Sequence, residues 1–373
     1  MLAPPIACLT LCRDIATEGE IYHWRDPECE RQIEGLLEEG TITTANGAFD
    51  LGAIANQYPR LTPLVFKALR EHRVHDVLIR QKLIDIADGG YKLKEVEEDV
   101  WISVRYGLSD IHNRYFGSHL EKDKWRLQYG KLRHHPLLKW DPGAIHYAKN
   151  DAVATLKAHY AQDAYKPKFA KISTVLHNEP EQVYAAYALH MISCWGMRTD
   201  PLWVAQMLQK IQQEQIARRD LLIREGLVRE WDESRAKNEA VKRMRDVMGD
   251  KCELTDTGLD RYRDWWAQMK KLGKIDGPEG AALKMKEKRK LFDQGFVKLS
   301  GEVCGRSGDK MLMAYAAYGQ FKTLYTKISK LRTNSMPIQT SFEVILETGR
   351  TSSFANKLIP NSVAMQNLPR LEG

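Results

Sequence analysis

The sequence predicts an α/β module followed by a mainly helical one, and three observations carry that expectation. Up to about residue 160, β-branched runs end in Gly or Asn turns and continue as apolar residues at helical spacing. Beyond that point the spacing is almost purely helical until Pro337. The charge divides at the same place: residues 1–160 carry 21 Lys and Arg against 23 Asp and Glu, a net of −2, and residues 161–373 carry 35 against 26, a net of +9.

The elements follow in order. Residues 5–11 are mostly apolar before a polar loop and read as a strand. Ile42 to Ala55 reads as strand, turn at Asn46-Gly47, then helix. Val77 to Ala87 has a helical apolar pattern closed by Gly89-Gly90, with His75-Asp76 at its head and Asp76 read as structural. Asp99 to Phe116 and Ile145 to Tyr160 are predicted as further helices, the second opened by the Asp141-Pro142-Gly143 turn.

In the second module, Val183 to Cys194 is an Ala-rich helix that stops before Gly196. Thr199-Asp200-Pro201 supplies an N-cap and a Pro for a helix from about Leu202 to Arg224. Charged helices are predicted over 239–247, 260–271 and 280–291, and a long one over 311–330. After Met336-Pro337 the pattern turns to strand at Phe342 to Leu346.

Several classes fall away. The 373 residues suit two domains of ordinary size or three. No apolar run approaches the ~20 residues that span a bilayer, so no membrane span is expected. The N-terminus lacks the basic start of a signal peptide. Six Cys without a CxxC pair indicate neither a zinc ribbon nor a disulfide framework, and a reducing, cytoplasmic setting is expected. A basic second module suits a nucleic-acid partner, although charge alone leaves a solvated lysine-rich surface equally open.

Two constellations carry chemistry. In the first module, Asp50 follows the Asn46-Gly47-Ala48-Phe49 turn, while Tyr147 and Asp151 sit at i and i+4, one face of a helix. The adjacent His134 and His135 read as solvent-facing. The second constellation is C-terminal. Thr348-Gly349-Arg350-Thr351-Ser352-Ser353 places an Arg and hydroxyls after a strand, and Gln366-Asn367-Leu368-Pro369-Arg370 follows. Arg with Ser suits phosphate and sugar oxygens, and uncharged amides reach minor-groove acceptors.

TGRTSS followed by QNLPR resembles the motif that opens the palm of family A DNA polymerases, the DNA polymerase I type, and PNSVAMQNLPR is closer to phage-like members. The resemblance implies DNA contacts for Arg350, Ser352, Ser353, Gln366 and Asn367. Ala364 and Met365 depart from the usual Asn and Leu. Lys322 falls where the family has a Lys-rich helix leading from the thumb, and the run Lys284 to Lys290 would belong to that thumb. The first module resembles proofreading 3′–5′ exonucleases of the DEDD type with Tyr. There Asp50 and Asp151 would be metal-binding carboxylates, and Tyr147 would orient a water. Two Mg2+ about 4 Å apart clamp the attacking and leaving oxygens in such sites.

The fold so implied is a ribonuclease H-like exonuclease domain over 1–162, a helical connector and thumb over 163–335, and the start of a palm over 336–373. DNA is the implied partner: a single-stranded 3′ end at the exonuclease domain and a primer-template duplex at the thumb. The family's Asp-x-Glu strand would precede Leu2, and its polymerase carboxylates would follow Gly373. The chain as given is therefore expected to lack polymerase catalysis and to hold an incomplete exonuclease site. A stand-alone 3′–5′ exonuclease with a helical DNA-binding appendage, and a non-catalytic DNA-binding module, remain the alternatives.

Overall fold

The structure, a computed structural model, describes residues 4–97, 100–120, 125, 128–165, 178–274, 285–332, 337–346, 351–356 and 362–364. The chain divides into two compact units, Met1–Arg198 with Pro337–Asn367, and Thr199–Met336 with Leu368–Gly373. Among the described residues it is mostly helical, with four two-stranded sheets.

In the first unit, β1 (Cys8–Leu11) and β2 (Glu20–His23) form an antiparallel pair with Cys8 opposite His23. Helix α1 (Pro27–Glu39) starts on an Asp26 cap with Pro in its first turn. β3 (Ile42–Thr44) then pairs in parallel with β4 (Val74–Asp76), with α2 (Gly47–Gln57) and α3 (Thr62–Arg70) as the crossover. α4 (Val77–Ala87) runs straight out of β4, and Gly89 takes the left-handed conformation (φ 72°) just beyond its end.

The helix expected over 99–116 differs. β5 (Leu93–Glu97) and β6 (Val100–Ser103) make a bulged antiparallel hairpin, and the helix is only α5 (Leu108–Phe116). Val100, Ile102 and Val104 are β-branched residues at alternate positions, so period two wins until Gly107. After the short α6 (Tyr129–Leu132), α7 (Pro142–Ala164) begins on Asp141, whose carboxylate accepts from the Gly143 N–H at 2.8 Å. α7 packs on β1, β2, β3, α4 and α5. α8 (Glu179–Trp195) packs on α2, α3, α4 and β4. The returning C-terminal segment supplies β7 (Ser341–Glu343) and β8 (Ser352–Phe354), an antiparallel pair with Phe342 opposite Ser353. Ile345 enters the core of Cys29, Ile33, Leu37, Val65 and Tyr187, and Tyr91 donates to its carbonyl at 2.5 Å.

A charged network lies beside that core. Arg80 of α4, 5% exposed, donates through Nε to Glu179 Oε2 at 2.7 Å and through Nη1 to Asp163 Oδ1 at 2.6 Å. The same Nη1 lies 3.0 Å from His159 Nδ1. A guanidinium only donates, so His159 accepts at Nδ1 and keeps its proton on Nε2, which faces Asp163 at 3.3 Å. Burial, and then the Arg80 charge, hold His159 below its ordinary pKa. Burial works to raise the Glu179 carboxyl, but the His75 hydrogen bond and Arg80 outweigh it and hold it below the usual range.

The second unit is helical: α9 (Pro201–Arg224), α10 (Lys237–Met248), α11 (Asp256–Lys271), α12 (Met285–Asp293), α13 (Gly301–Arg306) and α14 (Lys310–Ser329). Asp200, Thr255, Ser300 and Asp309 cap four of them through side-chain oxygens. α9 and α14 pack together, and their core holds Leu222, Leu227, Met244, Phe292, Leu312, Tyr315 and Tyr318. Arg243 ties the Asp309 cap to α10 at 3.0 Å. Among the described residues all six cysteines are free, and no helix is long and apolar enough to cross a membrane.

Removing Arg80 leaves Glu179, 3% exposed, as a buried carboxylate without its arginine partner, still 3.2 Å from His75 Nδ1. Arg80→Ala is expected to destabilise the chain by about 3–5 kcal/mol in urea denaturation. A loss below 1 kcal/mol, the order expected of exposed pairs, would show that the network is not structural.

Candidate functional site

The site in the first unit grows from the ends of two short parallel strands. Thr44 ends β3 opposite Asp76 at the end of β4. The chain leaves β3 through Asn46, whose left-handed backbone (φ 81°) turns it directly into α2. Gly47 must follow, because a Cβ there would meet Thr44 Oγ1 at 2.3 Å. Its N–H donates to Asp76 Oδ2 at 2.7 Å, while Asp76 Oδ1 accepts from the N–H groups of Leu78 (2.8 Å) and Ile79 (3.2 Å). One buried carboxylate therefore caps α4 and fastens the start of α2. Burial raises its pKa, and these backbone donors act against the rise.

Asp50 lies in the first turn of α2, one turn beyond this clamp. Asp50 is exposed to water, with protein atoms packed around its carboxyl. That crowding, and then the Asp76 charge, push the Asp50 pKa up to about 7. Contact with water screens part of this push.

Tyr147 and Asp151 lie one turn apart on α7, both half-buried. The Tyr147 ring stands 6.4 Å from that of Tyr129, and the Asp151 carbonyl accepts from the Thr155 hydroxyl at 2.8 Å. The β1–β2 loop meets α7 at this level: a Cβ on Gly19 would come within 3.0 Å of the Lys149 carbonyl. Asp76 acts electrostatically on Asp50, and its own oxygens are already engaged by backbone donors. Among the described residues no three His, Cys, Asp or Glu side chains come together in a group able to hold a metal ion. Mg2+ takes an octahedron of oxygens, commonly one or two carboxylates with substrate phosphates and water. The described residues thus do not by themselves make the two-metal centre that the sequence resemblance implies.

The second set divides. Lys322 is exposed on α14. In β8, Ser352 is half-buried and Ser353 is 7% exposed, so alternate residues of the strand face opposite sides and, of the two serines, Ser352 is the one that meets water. Arg350, Gln366 and Asn367 lie outside the described residues. His134 and His135 are exposed; their neighbour Arg133, which drew no attention in the sequence, stacks 3.9 Å from the Trp24 ring centre and donates to the Ile6 carbonyl at 2.9 Å. The Asp50–Asp76 pairing and the Arg80 network were also missed. For Asp76 the usable signal was a carboxylate directly before an apolar helical run, the pattern of an N-cap.

Asp50 sets a pH dependence. The folded chain keeps the Asp50 proton to a higher pH than the unfolded chain does, so stability falls as pH rises from the ordinary carboxylate value toward about 7. Asp50→Asn has no charge to form. It is expected to melt above the parent chain at pH 8, with the difference closing as the pH approaches 4. A difference independent of pH would contradict the raised pKa.

Thirteen chains of solved structures match this one. No family model matches the chain, and no curated protein matches it. The chain is similar to the POL domain of Pol1 from M. smegmatis in complex with DNA primer-template and dNTP, at 14% identity and a TM-score of 0.48. The match covers 95% of this chain and 48% of that one, so the chain spans about half its length.

Proposed function

We propose that the chain binds primer-template DNA as part of a DNA polymerase of the DNA polymerase I type, with the helical unit gripping the duplex backbone. The observation that carries this reading is α14. Its 20 residues contain no Asp or Glu, and Lys322, Thr323 and Thr326 are exposed on it, followed by exposed Lys330. A helix that shows cations and hydroxyls with no acid among them suits a polyanion. Each cation that neutralises a phosphate releases counterions, a source of affinity without sequence preference. The TGRTSS motif supports the same reading: of its described residues, Thr351 precedes β8 and Ser352 and Ser353 begin it, with Ser352 reaching water.

The first unit is proposed as a ribonuclease H-like domain of the proofreading 3′–5′ exonuclease type, facing a single-stranded 3′ end. Its crossover from β3 to the parallel β4, its antiparallel β1–β2 pair and the helix bearing Tyr147 and Asp151 support that assignment. Asp50 and Asp151 would be its carboxylates and Tyr147 its water-orienting group.

Titration of a fluorescent primer-template with the full chain tests it. Affinity is expected to fall linearly on a log–log plot against salt, and Lys322→Ala should flatten the slope by about 0.9 with little dependence on DNA sequence. Affinity unaffected by salt would overturn the reading.

A further inference from the structure

A second cation is fixed on α14 by a segment that no DNA-binding expectation includes. The loop between α9 and α10 is held in one conformation. Val228 and Arg235 form an antiparallel bridge, the Ala236 N–H donates to the Leu227 carbonyl at 2.8 Å, and the Arg229 N–H donates to the Ser234 carbonyl at 2.9 Å. From α14, the Tyr318 hydroxyl donates to the Glu233 carbonyl at 3.1 Å. The backbone at residue 235 is thereby set, and its exposed side chain lies across the helix. The guanidinium carbon stands 5.2 Å from the centre of the Tyr315 ring, a cation–π distance.

The guanidinium also lies over Gly319. A Cβ at 319 would come within 2.3 Å of Arg235 Nη1 and 2.7 Å of its central carbon. Glycine in mid-helix weakens the helix, so its presence calls for a reason, and room for Arg235 is the one visible. Arg218, Arg219, Arg229, Arg243 and Arg245 each pair with a carboxylate. Arg235 has no such ion pair among the described residues. The nearby acids are occupied: Glu233 accepts from Arg219 at 2.8 Å, and Asp232 accepts from the Ser234 N–H at 2.9 Å. A stacked guanidinium keeps its outer N–H groups available in a fixed fork that matches phosphate oxygens.

Lys322 and Thr323 lie three and four residues beyond Gly319, on the same face of α14, and both are exposed. We propose that Arg235, laid in the notch of Gly319, is a phosphate-contact residue for duplex DNA and forms one stripe with Lys322. The proposal rests on the DNA-binding reading above and adds a residue from a different element.

Arg235→Gln and Gly319→Ala test it in salt titrations of primer-template binding by the full chain, with melting temperature as a check on folding. The glutamine variant is expected to bind more weakly and to lose about 0.9 from the salt slope, so that its deficit shrinks about threefold between 50 and 200 mM salt. Gly319→Ala keeps every charge and favours the helix but displaces the guanidinium, and is expected to weaken binding without lowering the melting temperature. If Arg235→Gln does not fold, Gly319→Ala carries the test alone. A folded variant with the parent's affinity and slope, in a chain that binds DNA, would make Arg235 structural and overturn the proposal. Absence of binding by the parent chain would remove the DNA-binding reading as well.

Discussion

Arg80 is the group on which the first unit depends. A buried guanidinium is tolerated only when its donors are met, and here the partners come from three elements: Glu179 on α8, His159 and Asp163 on α7, and His75 on β4. The network therefore fixes where α7 and α8 lie against α4. Asp76, four residues before Arg80, fixes the other side by holding the first turns of α2 and α4 together. Asp50 on α2 and the Tyr147–Asp151 pair on α7 inherit their places from these two polar anchors. The site is positioned by paired charge as much as by the apolar core beneath it.

The second unit obeys a different electrostatic rule. Most of its arginines are neutralised locally, by pairs such as Arg243–Asp309 and Arg289–Asp250. On α14 no acid occurs in the helix, and Lys322 stands in water. Exposed pairs of the first kind contribute little to stability and hold the local charge near neutral. This acid-free helix is the part of the unit proposed to meet DNA. Gly319 fits this division, since it gives up helix propensity in order to seat a further cation.

Much of this was legible because capping and periodicity are local. Asp200-Pro201 and Asp141-Pro142 marked the starts of α9 and α7, and the apolar spacing of 77–87 marked α4 to its bounds. The three-residue strand β4, without a turn signal before it, went unread, and β6 was absorbed into a helical pattern that begins only at Leu108. The candidate carboxylate Asp50 was legible from its place after a strand and turn. Its coupling to Asp76 was not, because a parallel strand pairing brings together residues 26 positions apart. The Arg80 network was invisible for the same reason: its members at 75, 80, 159, 163 and 179 share no motif, only tertiary proximity. Arg235 was hidden by a loop whose geometry is set by long-range contacts with α14.

The most direct measurement is a lysine-acetylation footprint of the full chain, read by mass spectrometry with and without primer-template DNA. Gripping of the duplex by the helical unit predicts that Lys322 and Lys330 lose reactivity when DNA is added, while exposed Lys131 and Lys139 of the first unit remain reactive. Unchanged reactivity at Lys322 and Lys330 under conditions where the DNA is bound would contradict it.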